Sequence, residues 1–100
     1  MRSVVRFEND RLRVLELRLP PGEKEPMHSH PAFLVIVLSP ATMRMTSTED
    51  RVTELDVTAG QVSFSEATTH AGENVGATEL HELIVELKQP AARSPLAGEL

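Results

Sequence analysis

Met27-His28-Ser29-His30-Pro31-Ala32-Phe33-Leu34-Val35-Ile36-Val37-Leu38 is the stretch from which the rest of the chain is read. His28 and His30 stand two residues apart. In an extended segment that spacing puts both imidazoles on one face. The run that follows, Phe33 to Leu38, is apolar on both faces and predicts a central, doubly covered strand. A divalent metal accepts neutral imidazole well, and two such ligands need a third. The candidate is His70, far along the chain at the end of another strand-like run, in Glu66-Ala67-Thr68-Thr69-His70-Ala71-Gly72-Glu73-Asn74.

Outward from this stretch, alternation is everywhere and helical periodicity almost absent. Val4 to Phe7 reads as a short strand. Leu12 to Leu19 is a longer one, partly apolar on each face and broken by Pro20-Pro21-Gly22. Glu23 to Met27 reads as a polar loop leading to the histidine pair. Met43 to Thr46 and Val52 to Val57 alternate about the polar Ser47-Thr48-Glu49-Asp50, which predicts a hairpin. Gln61 to Phe64 and Leu80 to Lys88 complete the set, and Gln89-Pro90 closes it. Short strands with turns about every ten residues predict an all-β sandwich or barrel with little or no helix.

The chain has 100 residues, a net charge of −5 and no cysteine. That length predicts one domain, here residues 1–89, followed by a tail over 90–100 that packs on a neighbouring subunit. The acidic balance with no basic cluster argues against a nucleic-acid surface. Without cysteine, disulfides and thiolate sites are excluded, which leaves histidine and carboxylate as metal ligands. The N-terminus has no apolar run of signal-peptide kind, and Ala32 to Leu38 is far too short to span a bilayer. The expectation is a cytoplasmic protein with no membrane partner.

Gly22, five residues, then His28-Ser29-His30, and later Gly60 with His70-x3-Asn74, together resemble the two motifs of the cupin superfamily over roughly residues 12 to 88. The resemblance implies a cupin-type β-barrel, or jelly roll, of short antiparallel strands. It departs from the family pattern at defined points. The acidic ligand of the first motif falls at Leu34 or Val35, neither of which binds a metal. The closing glycine of that motif is replaced near Pro40, and the Gly60 to His70 spacing is one residue short. The ligand set the resemblance leaves is His28, His30 and His70. That set is similar to the three-His cupin dioxygenases, which use ferrous iron.

Three neutral ligands leave the charge of a divalent ion uncancelled, so the expected substrate is a small anionic molecule or one that ionises on binding. Fe(II) is the favoured metal, with zinc, nickel or manganese as alternatives. A metal-dependent isomerase or lyase, and a non-catalytic small-molecule sensor, are the competing readings. Phe33, Val35 and Phe64 are expected to line a dry pocket. Glu66 and Glu73 flank His70 as weak candidates for a general base, a partner of a ligand, or a replacement ligand; the alternative is two surface loop residues. His81 shares strand parity with Leu83, Val85 and Leu87 and is expected to face the interior, as an extra ligand, a proton shuttle or a hydrogen-bonded side chain. Edge strands in need of protection predict a homodimer.

Overall fold

The computed structural model describes residues 2–88, all of whose regular structure is β. The expected tail over 90–100 lies outside the described residues. Nine strands run β1 (Arg2–Glu8), β2 (Leu12–Leu19), β3 (Lys24–His30), β4 (Phe33–Ser39), β5 (Ala41–Ser47), β6 (Val52–Val57), β7 (Val62–Ser65), β8 (Thr68–Asn74) and β9 (Leu80–Leu87). They form two antiparallel sheets that face each other as a jelly roll. One has the order β1-β2-β9-β4-β7 and the other β3-β8-β5-β6.

The core follows from the period of two. Leu15, Leu17 and Leu19 of β2 point inward and align with Ile84, Glu82 and Leu80 of β9. Phe33 and Val37 of β4 complete that wall, while Ala41, Met43 and Val57 close it from the opposite sheet. The outward face of β4 is only half covered, with Leu34 and Ile36 half-buried and Leu38 exposed. The expectation of a doubly covered strand is therefore corrected: among the described residues one layer covers it.

Two glycines make the turns that set the site. In Pro20-Pro21-Gly22-Glu23 the Glu23 N–H donates to Pro20 O at 3.2 Å, and Gly22 has φ +82°. Proline second and a positive-φ glycine third give a type II turn. Thr58-Ala59-Gly60-Gln61 repeats the device, with Gly60 at φ +87° and a 3.1 Å closing bond.

One expectation fails here: Glu23 to Met27 is not a loop, since β3 already begins at Lys24. The strand-like run around His70 is a full strand, β8 (Thr68–Asn74), that continues past the histidine. Both are short of apolar residues because their inward positions carry site groups instead of core. Asn74 ends β8 fully buried. Its Nδ2 donates to Leu19 O at 2.9 Å and Thr78 O at 2.8 Å, and its Oδ1 accepts from Gly76 N–H at 3.0 Å. One side chain thus ties β2 to the loop that enters β9.

Candidate metal centre

His28 and His30 lie on β3 and His70 on the neighbouring β8, with His28 directly opposite His70 in the register. The parity that puts His28 and His30 on one face also turns it inward. The three histidines form a group whose potential ligand atoms all lie within 4.8 Å of one another. Nε2 of His28 and Nε2 of His70 are 3.1 Å apart. A metal at about 2.0–2.1 Å from each of two imidazole nitrogens sets them roughly 3 Å apart, so this spacing fits a shared ion.

The rings are aimed from behind. Nδ1–H of His28 donates to Pro26 O at 2.7 Å, leaving its Nε2 free to face His70. His30 Nδ1 is 2.6 Å from Oε2 of Glu86, so its Nε2 is the free nitrogen. Glu86 is only 4% exposed and is held in turn by Arg13, at 2.7 Å. Burial pushes the Glu86 carboxyl up, but the hydrogen bonds from His30 and Arg13 outweigh it and hold the group below the usual carboxylate range. A buried carboxylate behind a ligating histidine fixes its tautomer and raises its basicity. Burial, reinforced by the positive charges of His28 and His30, lowers His70 to about 4. His70 is therefore an unprotonated donor at neutral pH, as a metal requires.

Glu25 is the carboxylate that sequence reasoning missed. Three residues before His28, it should point the opposite way. A register shift between Glu25 and His28 sets two β3 residues against one of β8, and this bulge turns Glu25 inward with the histidines. Its Oε2 lies 3.7 Å from His28 Nε2. Gly72 opposite gives it room: a Cβ there would meet Glu25 Oε1 at 3.3 Å. Burial raises the Glu25 carboxyl, against the charges of His28 and His30.

Beside the trio opens a cavity of about 250 Å³, lined by His30, His70, Glu25, Phe33, Val35, Val37, Met43, Met45, Ile84 and Glu82 among others. Glu82 sits in its wall, and burial together with the negative charge of Glu25 raises its carboxyl to about 7. Phe33 and Val35 thus line the cavity as expected. Phe64 does not: it lies on the outer face, 53% exposed, and Ser63 and Ser65 line that wall. His81 is a second correction. The inward residues of β9 are Leu80, Glu82, Ile84 and Glu86, and His81 faces out, bonded to Oε2 of Glu16 at 2.5 Å. Glu66 is exposed in the β7–β8 turn, and Glu73, three residues from His70, faces out towards Arg44 at 3.8 Å. Neither is brought to the trio.

Substituting Glu86 by glutamine removes the charge behind His30 while keeping the shape. The expected result is an affinity for divalent metal about 10- to 100-fold weaker in a chelator competition. An unchanged affinity would show that Glu86 serves only to satisfy Arg13.

No family model matches the chain, and no curated protein matches it. Solved structures do. A cupin domain from Bordetella pertussis Tohama I is similar at 25% identity, with a TM-score of 0.80 over 87% of this chain and 92% of that one. A cupin superfamily protein from Desulfitobacterium hafniense shares 19% identity, with a TM-score of 0.66 over 87% of this chain and 76% of that one. A DMSP lyase from Ruegeria pomeroyi shares 17%, with a TM-score of 0.60 over 86% of this chain and 42% of its own. No helix among the described residues is long and apolar enough to cross a membrane. The chain thus has the double-stranded β-helix fold of the cupin superfamily and is similar to its solved members.

Proposed function

We propose that this cupin is a metal-dependent enzyme that holds Fe(II) on His28, His30 and His70 and oxidises a small organic molecule with dioxygen. The observation that carries the reading is the all-imidazole donor set, 3.1 Å between the facing Nε2 atoms of His28 and His70, with Leu34 and Val35 where the family's carboxylate ligand would be. Ferrous iron held by these three histidines would supply dioxygen activation, whereas zinc, nickel or manganese would supply Lewis-acid chemistry.

The chain's own residues do the rest. His28, His30 and His70 bring their ligand nitrogens within 4.8 Å of one another, with His28 oriented by Pro26 O and His30 by Glu86. Glu25, 3.7 Å from His28 Nε2, is placed to accept the proton a substrate loses as it becomes an anionic ligand. Phe33, Val35, Met43, Met45 and Ile84 exclude water from the cavity. Glu82 meets the far end of the substrate. A carboxyl buried there favours a hydroxyl or amine, which can share its proton, over a second anionic group. The expected substrate is therefore small, ionisable at its metal-binding end and a hydrogen-bond donor at the other.

A second reading, a metal-dependent lyase or isomerase, is supported by a carboxylate standing directly beside the histidines, which proton abstraction needs. One experiment separates the two. Protein reconstituted with Fe(II) is screened in an oxygen electrode against diketones, thiols and aromatic diols, with product analysis. Oxygen uptake that disappears in a folded His28→Ala variant supports the oxygenase. Substrate loss without oxygen uptake, abolished in Glu25→Gln, supports the lyase or isomerase. No turnover of any substrate, with ligand binding retained, would leave a non-catalytic sensor.

A further inference from the structure

The cavity beside the histidines runs out to two strand edges. Its lining reaches Leu55 and Val57 on β6 and Gln61, Ser63 and Ser65 on β7. β6 ends one sheet and β7 ends the other, and no strand of the described residues pairs across the gap between them.

The register shows that this gap is open. Leu55 stands opposite Met43, a buried core residue, so it faces inward; it is nevertheless 40% exposed. Thr53 stands opposite Met45, which lines the cavity, and is exposed too. Across the gap, Ser63 stands opposite the cavity residue Val35 and is exposed. In a barrel closed at this seam, such inward residues would be buried as Leu17 and Val37 are. Inward residues that meet solvent from both edges mean that the sheets splay here and leave a lateral cleft.

The two lips of the cleft differ. Leu55 and Val57 make one lip apolar. On the other, the Ser63 hydroxyl has no hydrogen-bond partner among the described residues, while its neighbours are engaged. Gln61 Oε1 accepts from Thr58 N–H at 3.2 Å, and Ser65 Oγ donates to Glu66 O at 2.8 Å. A second hollow touches the trio at the end of the barrel, lined by short hydroxyl side chains such as Ser29, Thr48 and Thr68. It shares only His30 with the cavity, and His30 is 9% exposed.

We propose that the β6–β7 cleft is the approach to the metal centre and binds the outer part of the substrate, with Ser63 as its polar contact. The reacting head fills the cavity, and a substituent continues outward between the lips. The class of molecule that fits is elongated, with apolar carbon against Leu55 and Val57 and a hydrogen-bonding group at Ser63. The cavity of about 250 Å³ then limits the head and not the whole molecule. The role given to the head rests on the proposed function, whereas the cleft itself is tested without metal.

The chain has no cysteine, so a single thiol reports on access. Met45→Cys places one in the cavity wall. In the metal-free, full-length protein its modification by methyl methanethiosulfonate is followed by mass spectrometry. Ser63→Trp and, from the other lip, Leu55→Trp are each expected to remove most of the rate, with an unchanged far-ultraviolet spectrum. Thr48→Trp, in the hollow at the barrel end, is expected to leave the rate intact. A hexyl reagent is expected to react several-fold faster than the methyl one, a preference lost in Ser63→Trp. A rate that responds to Thr48→Trp as much as to the lip variants, including no response to any, overturns the proposal. So does a thiol that never reacts, or a hexyl reagent with no advantage. Each of these leaves the metal site standing, whereas the expected rates in a protein that takes up no metal would overturn the metal reading and leave the cleft.

Discussion

Replacing Glu82 by glutamine stabilises the metal-free protein by about 3 kcal/mol at pH 8 and by almost nothing at pH 4. The carboxyl is buried in the cavity wall and raised from its ordinary 4.5 to about 7, by burial first and by the charge of Glu25 second. Between those two values the folded protein keeps a proton that the unfolded chain has released. Stability therefore falls as pH rises from about 4.5 to about 7 and then levels off. Two and a half pH units at about 1.4 kcal/mol each give the magnitude, an upper figure because water can enter the cavity. Glutamine fills the same space and does not titrate, so the slope disappears with it. Urea midpoints at the two pH values, with chelator present, measure the effect. An equal shift at both would mean that the group is solvated in the folded state. The destabilising carboxyl has a use in the proposed reaction, since a group that binds a substrate's donor must stand in the cavity before the substrate arrives.

Asn74→Ala is expected to cost about 3–5 kcal/mol, because it deletes the three hydrogen bonds of a fully buried side chain and strands their partners. Leu19 O and Thr78 O lose their donor and Gly76 N–H its acceptor, all around a side chain with no solvent exposure. Domains of this size are stable by about 5–15 kcal/mol, so the variant approaches the limit of folding. The backbone of Asn74 joins the same knot, donating to Glu23 O at 3.0 Å and accepting from Gly22 N–H at 2.8 Å. The turn before β3 is thereby fastened to the end of β8, the two strands that carry the histidines. A loss below about 1 kcal/mol in urea unfolding would show that water replaces the amide without penalty.

The barrel and the trio were legible in the sequence because they rest on period two and on motif spacing. Alternation located β2, β5, β6 and β9, the continuous apolar run located β4, and the motif spacing picked out three imidazoles that lie on neighbouring strands. The carboxylates were not legible. Glu25 is hidden by a bulge, which inverts the facing that counting assigns, and bulges leave no mark in a polar segment. Glu82 and Glu86 are hidden by β9 itself. Its odd face carries Leu83, Val85 and Leu87, the more apolar set, and that set points outward. His81 was assigned to the interior for that reason, and Phe64 likewise, because an aromatic is normally buried. Both errors come from the same apolar outer face. By period two alone, an apolar outer face reads like a core face, since each asks for the same residues.

The metal site proposed on His28, His30 and His70 is tested by elemental analysis of tag-free protein after reconstitution with Fe(II) and removal of excess, beside His70→Ala. Close to one metal per chain is expected in the wild type and a near-complete loss in the variant, with both folded. Wild-type protein that retains no divalent metal, or His70→Ala that retains as much, would contradict it.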